Sequence, residues 1–267
     1  MRVFFELQTR GQMNLPSITK SIWNELASWW DEEYQEDDLY HRTFLFPTIT
    51  KWVDAKKGMR ILDVGCGNGA LARLFAKAGA EVVAVDFSDV FIEKSKERSK
   101  EFTIDYRVID ATDEEQLNTL IDSKKFDCIV SSMVLHDMPT IEPLINTLPK
   151  LLKNSGIFIF SVPHPCFNSG LVDIEDLKEN MKQKKLLLPN RYIHSETFEI
   201  LSKPGQPVKQ ICFHRPLSEL FNTLFTAGFV MNGFVEPVAK KGELPEDFLW
   251  AKLSDIPPAI ICRFELE

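Results

Sequence analysis

Arg60-Ile61-Leu62-Asp63-Val64-Gly65-Cys66-Gly67-Asn68-Gly69 joins a short apolar run to three alternating glycines. Ile61, Leu62 and Val64 read as a buried strand. Leu71, Leu74, Phe75 and Ala78, with helical spacing, read as the helix that follows. Glycine accepts a positive φ and has no Cβ, so a ligand can lie almost against the backbone of such a turn. In an open α/β sheet, ligands bind outside the carboxyl ends of the parallel strands, which is where this turn falls.

Working outward, apolar runs and amphipathic segments alternate. Strands are predicted at 60–64, 81–86, 104–109, 126–131 and 156–162, and helices at 69–79, 88–100, 113–121 and 140–152. This rhythm argues for βαβ units in a parallel sheet, with right-handed crossovers placing helices on both faces. After residue 162 the alternation breaks. Residues 163–192 read as an irregular insertion with a helical piece near 174–186. The runs 194–201 and 207–214 flank Lys203-Pro204-Gly205-Gln206 and read as a hairpin. A helix at 216–227 ends at Gly228, and strands near 229–236 and 259–266 complete the sheet. Upstream, residues 1–16 read as an extension. Ser17 is placed to cap a helix through Ile18, Ile22, Leu26 and Trp29 or Trp30, which the acidic stretch from Asp31 to Asp38 interrupts. A second short helix starts near Tyr40 and carries Leu45, Ile49 and Val53. The expected fold is α/β: a Rossmann-like, seven-stranded, mostly parallel sheet with an N-terminal helical cap and an inserted hairpin and helix region. The expected divisions are 1–57 (extension and cap), 58–162 (cofactor-binding core), 163–215 (insertion) and 216–267 (the rest of the sheet).

Composition narrows the function. The chain has 267 residues, a net charge of −8 and 44% hydrophobic residues. Large nucleic-acid substrates call for a basic face, and Lys182, Lys184 and Lys185 make only a short patch. A small-molecule partner is expected, with no nucleic acid and no membrane. The five cysteines include no Cys-x-x-Cys pair, so neither zinc nor a disulfide framework is expected. With no signal-peptide pattern and no run of roughly 20 apolar residues, a cytoplasmic location is expected. Trp23, Trp29 and Trp30 read equally as a lid over an apolar substrate or as a helix packing on the domain.

The acids select the ligand. Asp86 ends the second strand about 20 residues past the glycines, where a carboxylate accepts hydrogen bonds from ribose hydroxyls. Asp110 ends the third strand, where it either meets an adenine amino group or caps the next helix. A dinucleotide site would share the turn and the ribose acid. Its glycines, however, follow Gly-x-Gly-x-x-Gly, whereas these follow Gly-x-Gly-x-Gly. Asp63, just before the turn, is also out of place beside a pyrophosphate. It suits S-adenosylmethionine, which carries a sulfonium and an ammonium and no phosphate. No Tyr-x-x-x-Lys pair of the short-chain dehydrogenase type occurs.

At this point the chain resembles the class I S-adenosylmethionine-dependent methyltransferases, in the small-molecule branch typified by the type 11 and type 25 methyltransferases. Ile61 to Gly69 resembles the family's glycine motif, and Val85-Asp86-Phe87-Ser88 its acidic motif. Asp110-Ala111 resembles the adenine-contact position, Phe126 to Pro139 the fourth-strand motif, and Leu151 to Phe160 the step into the fifth strand. The resemblance implies that Gly65, Cys66 and Gly67 contact the methionine part of the cofactor, with Asp63 near its ammonium. It further implies Asp86 on the ribose, Phe87 against the adenine, Ser88 in the same acidic motif, and Asp110 with Ala111 on the adenine edge; Ser88 also reads as the cap of the next helix. Ser131, Ser132 and Met133 would lie along the methionine chain. Charge complementarity adds Arg42, or His41, for the cofactor carboxylate.

Methyl transfer is an in-line displacement in which the protein mainly aligns donor and acceptor. A base is needed only if the acceptor must lose a proton. His136, past the fourth strand, and His164, past the fifth, are the candidate catalytic residues; each reads alternatively as capping, packing or pocket lining. No metal is expected, since Asp127, Asp137 and Asp173 form no connected set in sequence. The Asn-Pro-Pro-Tyr type signature of adenine and glutamine methylases is absent after Val130, where Ser131-Ser132-Met133-Val134 stands. Expected, then, is an enzyme that methylates a small acceptor on O, N or C and yields S-adenosylhomocysteine. Alternatives are a non-methylating user of the same cofactor, such as a cyclase, and a non-catalytic cofactor-binding domain.

Overall fold

In the computed structural model, the residues described are 15–33, 38–167 and 192–267, without 204, 247 and 254. The expectations for residues 1–14, the helical piece near 174–186 and the lysine patch at 182–185 fall outside them.

Five parallel strands form first: β1 (Arg60–Val64), β2 (Glu81–Asp86), β3 (Ile104–Val108), β4 (Phe126–Ser132) and β5 (Leu152–Pro163). Two antiparallel strands, β8 (Phe229–Val235) and β9 (Ala259–Leu266), close the sheet in the order β3-β2-β1-β4-β5-β9-β8. The hairpin strands β6 (Glu196–Ile200) and β7 (Gln210–His214) pair only with each other, as a separate two-stranded sheet. Order reverses between β1 and β4, and at such a switch the loops diverge and leave a crevice.

The central strands are buried on both faces, so alternate residues feed two cores. Leu62, Val64, Val83 and Val85 join one with Leu144, Leu148 and Leu224. Ile61, Val82, Ala84 and Val130 join the other with Ile49, Leu71 and Phe75. The covering helices are α1 (Leu15–Glu33), α2 (Phe46–Val53), α3 (Ala70–Lys77), α4 (Asp89–Arg98), α5 (Glu114–Asn118), α6 (Glu142–Leu151) and α7 (Leu217–Thr226). His41–Leu45 forms a π-helical turn before α2.

Several boundaries differ from expectation by up to four residues; the helix expected at 113–121 is Glu114–Asn118 and the strand expected at 207–214 is Gln210–His214, and two further cases have a physical reason. Helix α1 begins at Leu15, so Ser17 lies inside its first turn rather than at the cap, and it runs past Asp31 to Glu33. Pro16 is compatible with this, because the first-turn N–H groups have no intrahelical acceptor. Strand β5 begins at Leu152 rather than 156. Leu152 pairs with Phe126, a bulge follows in which Ser155 takes a φ of 59°, and pairing resumes between Ile157 and Cys128.

Leu148 is fully buried and Leu74 is 40% exposed. Leu148→Ala should cost about 2–5 kcal/mol of folding stability, while Leu74→Ala should stay within about 0.5 kcal/mol. Urea unfolding midpoints at an unchanged slope check both; equal losses would contradict this placement of the core.

Candidate active site

The rim formed by the ends of β1 to β5 opens into a cavity of about 960 Å³. The glycine turn builds one wall. Gly65 and Cys66 both donate their N–H to Val85 O, at 2.8 and 3.0 Å, which folds the turn back over β2. Gly67 has a φ of +52°, and a Cβ there would meet no protein atom within 4 Å. The turn thus leaves room beside its own backbone.

Carboxylates line this end. Asp63 is almost fully buried, and its Oδ2 has no hydrogen-bond partner. Burial, then the neighbouring Asp86, pushes its pKa up to about 7. Asp86 accepts from Gly67 N at 3.0 Å and Ser88 N at 2.9 Å; burial still raises its pKa to about 6. Asp110 accepts from Thr112 N and Oγ1 at 2.8 and 2.7 Å. Asp113, not Asp110, caps the following helix, accepting from Glu115 N and Gln116 N. A buried carboxyl oxygen without a partner is costly, and its pKa rises because nothing compensates the charge. A cation supplies that compensation. The orphaned Asp63 oxygen and the vacant space at Gly67 therefore fit a ligand with a positive group, as adenosylmethionine has.

Asp63, Gly65, Cys66, Gly67, Asp86, Phe87, Asp110, Ala111, Ser132 and Met133 all line this cavity. Met133 holds a φ of 58°, fixed by its N–H donating to Ser161 O at 2.9 Å. Four expected residues stand elsewhere. Ser131 is fully buried within β4 and outside the wall. Ser88 is fully buried and caps α4, accepting from Phe91 N. Arg42 is exposed and outside the wall, whereas His41 lines it and bonds Asp38 Oδ2 at 2.5 Å. His164 is buried and away from the wall, its ring between Glu236 Oε1 at 2.8 Å and Cys166 N at 3.1 Å. Short local turns explain this, since the chain reverses after each strand and only some side chains face inward.

Apolar and aromatic side chains also line the cavity, among them Trp23, Trp30, Phe198, Phe213, Leu220 and Trp250. Trp23 and Trp30 stack at 6.2 Å, and Trp23 meets Phe91 at 6.2 Å, so these tryptophans both pack on the domain and line the cavity. Helix α1 is tied to α4 by Asn24 to Asp89 (3.0 Å) and by Arg98 to Asp31, and to the hairpin side by Lys203 to Glu33 (2.6 Å).

His136 and Asp137 also line the cavity, with Nε2 and Oδ2 3.4 Å apart. Burial, then Arg215, lowers the His136 pKa to about 3. Burial raises the Asp137 pKa to about 8 despite bonds from Cys212 and Gln210. Gln210 and Cys212 come from β7 and were not singled out in the sequence. Asp137 adjoins His136 and carried a signal only once the fold was known. Cys212 carried none, lying 75 residues away.

The family described as "Methyltransferase domain" matches residues 55–218. The chain belongs to the class I S-adenosylmethionine-dependent methyltransferase family. It is 32% identical over 141 residues to a ubiquinone biosynthesis O-methyltransferase of Actinobacillus pleuropneumoniae serotype 7, covering 51% of this chain and 59% of that protein. An uncharacterized protein of Haemophilus influenzae is 27% identical over 229 residues, covering 81% of this chain and 85% of its own. A methyltransferase structure from Mesorhizobium loti superposes with a TM-score of 0.64 at 22% identity, covering 82% of this chain and 96% of that one. Magnesium protoporphyrin IX methyltransferase from Synechocystis, with bound S-adenosylhomocysteine, superposes with a TM-score of 0.60 at 15% identity, covering 95% and 100%. At these identities the two structures support the fold.

Two outcomes follow for the cofactor end. If Asp63 faces the cofactor ammonium, Asp63→Asn removes a hydrogen bond to a charged group worth about 1.5–3 kcal/mol. S-adenosylhomocysteine affinity should then fall roughly 10- to 100-fold by calorimetry. The wild-type affinity should also depend on pH. Free Asp63 and Asp86 take up protons near pH 7 and 6, and a cationic ligand favours their ionised forms, so binding releases protons. Affinity should climb from pH 5 to 7.5, and a flat profile would count against the assignment.

Proposed function

We propose that this protein transfers the methyl group of S-adenosylmethionine to a hydroxyl of a small, largely apolar acceptor. The observation that carries the reading is the continuity of the cavity. One cavity is lined both by the glycine turn with its carboxylates and by aromatic side chains of α1 and the hairpin. Asp63, Asp86 and Asp110 hold the ammonium, ribose and adenine of the cofactor. Ser132 and Met133, at the end of β4, bring its methyl group to the acceptor. The chamber formed by α1 and the β6–β7 hairpin takes the acceptor, and excludes water from the reaction.

When bound, the cofactor would supply an electrophilic methyl carbon with a neutral thioether as its leaving group, and the acceptor hydroxyl would give up its proton to solvent. The chain's own residues orient the two partners in line, which is where most of the rate gain of such a step arises. The O-methyltransferase relative supports oxygen as the acceptor atom, as does a polar cluster at His136 and Asp137 within an otherwise apolar chamber.

Incubating the protein with isotope-labelled methyl donor and a cellular metabolite extract tests this by mass spectrometry. We expect one labelled small molecule that has gained a methyl group and lost one exchangeable hydroxyl hydrogen, with equimolar S-adenosylhomocysteine. A labelled amine would overturn oxygen as the acceptor. Methylthioadenosine as the co-product would overturn methyl transfer itself.

A further inference from the structure

His136, Asp137 and Cys212 converge on the cavity from two separate elements. Their ligating atoms all lie within 4.8 Å of one another. Asp137 Oδ2 is 3.4 Å from His136 Nε2, and Asp137 Oδ1 is 3.5 Å from Cys212 Sγ. A tetrahedral zinc site with arms of about 2.0–2.3 Å has edges of about 3.3–3.6 Å. The two short edges have that length but run from different oxygens of Asp137; with one ligating atom from each residue the set spans up to 4.8 Å, so a small side-chain rotation closes it to one face of such a site, and all three side chains line the cavity.

The scaffold holds the three together before any ligand arrives. Phe213 N donates to His136 O at 2.7 Å, joining β7 to the turn after β4. The Arg215 guanidinium donates to Leu135 O and Met138 O at 2.9 and 2.7 Å, on either side of the pair. Gln210 Nε2 donates to Asp137 Oδ1 at 3.1 Å and lies 3.5 Å from Cys212 Sγ. Such a contact is what orients a ligating carboxylate. His136 Nδ1 and Gln210 Oε1 remain buried without a hydrogen-bond partner. Arg215 is the nearest cation, and Glu219 Oε1, 3.6 Å from its Nε, offsets its charge.

We propose that His136, Asp137 and Cys212 bind one divalent cation of the zinc type, with its fourth position open to the cavity for the acceptor's oxygen. A thiolate, an imidazole and a carboxylate select zinc or cobalt over magnesium or calcium, which prefer oxygen ligands. Two anionic ligands and a dication also make a neutral site, which an apolar chamber tolerates. Three protein ligands and one open position is the pattern of catalytic rather than structural zinc. The inference rests on the reading of the chamber as an acceptor site. There the cation promotes loss of the acceptor's hydroxyl proton to water, and His136 serves as a ligand rather than as a general base.

The test uses the full chain, stripped with a chelator and titrated with zinc and with cobalt(II). One equivalent of each should bind, and the cobalt form should show thiolate-to-metal charge-transfer absorption in the near ultraviolet. Cys212→Ser should abolish that band, and Gln210→Ala should weaken zinc binding about 10- to 100-fold. S-adenosylhomocysteine affinity, measured on the same samples, should be unchanged and so reports that the variants fold. Failure to bind a stoichiometric metal, or a charge-transfer band that survives Cys212→Ser, overturns the site. Full-rate methyl transfer by the metal-free protein overturns its role with the acceptor. Metal binding without any methylated acceptor leaves the site standing and removes the hydroxyl-acceptor reading instead.

Discussion

A Cβ on Gly65 would lie 2.3 Å from Val134 Cγ2. No real side chain survives that distance, so the turn after β1 and the turn after β4 can touch only because position 65 is glycine, at a φ of +70°. This contact fixes how close the two turns stand. One turn carries the room left at Gly67 for the cofactor; the other carries Met133, His136 and Asp137. Parallel pairing of β1 with β4, from Ile61 opposite Cys128 to Asp63 opposite Val130, brings the turns to the same height on the rim. The two turns that line one cavity are thereby set at a fixed separation by backbone packing rather than by a flexible loop.

The same arrangement explains the carboxylates. Parallel strands buried on both faces must be apolar along their length, and polar groups are confined to their ends. Asp63 and Asp86 therefore appear as isolated acids inside apolar runs, and Asp110 directly after one. Strand ends on one rim share one solvent crevice, so three such acids build a common negative edge. A polar group in this position is costly when unpaired. That cost is what a cationic cofactor relieves, and it couples binding of the ligand to ionisation of the site.

How much of this was legible in the sequence follows from the range of each interaction. The strands and the glycine turn were readable because periodicity and glycine spacing are local. The order of acids along the chain became a spatial edge through a topology that alternating strands and helices imply. The start of β5 was misplaced by four residues because its first residue pairs across a bulge, with Ser155 in a left-handed conformation, and no local pattern marks that. His164 is expected at the ligand because it follows a strand, and Ser88 because it stands in the acidic motif, although Ser88 also reads as a helix cap, the role it has. The direction of a side chain in a tight turn is set by bonds to Glu236 and to Phe91 N. Cys212 was invisible as a site residue, since its partners lie 75 residues earlier and meet it only when β7 docks on the turn after β4.

The two halves of the cavity are tied to different parts of the chain, and this separates what they can change. The cofactor end is built by β1, β2 and β3 with their own turns, whose hydrogen bonds are mutual: Gly67 N to Asp86, Gly65 N and Cys66 N to Val85 O. Substitution there disturbs several supports at once. The acceptor end draws on α1 and on a hairpin that pairs with no strand of the main sheet. Its described hydrogen bonds to the core run through a few groups, notably Phe213 N and the Arg215 guanidinium. Under the function proposed above, reshaping that hairpin alters the chamber walls while leaving the adenosyl-binding edge intact. On that reading a fold of this kind keeps its donor chemistry and exchanges its acceptor through the hairpin and the N-terminal helix rather than through the glycine turn.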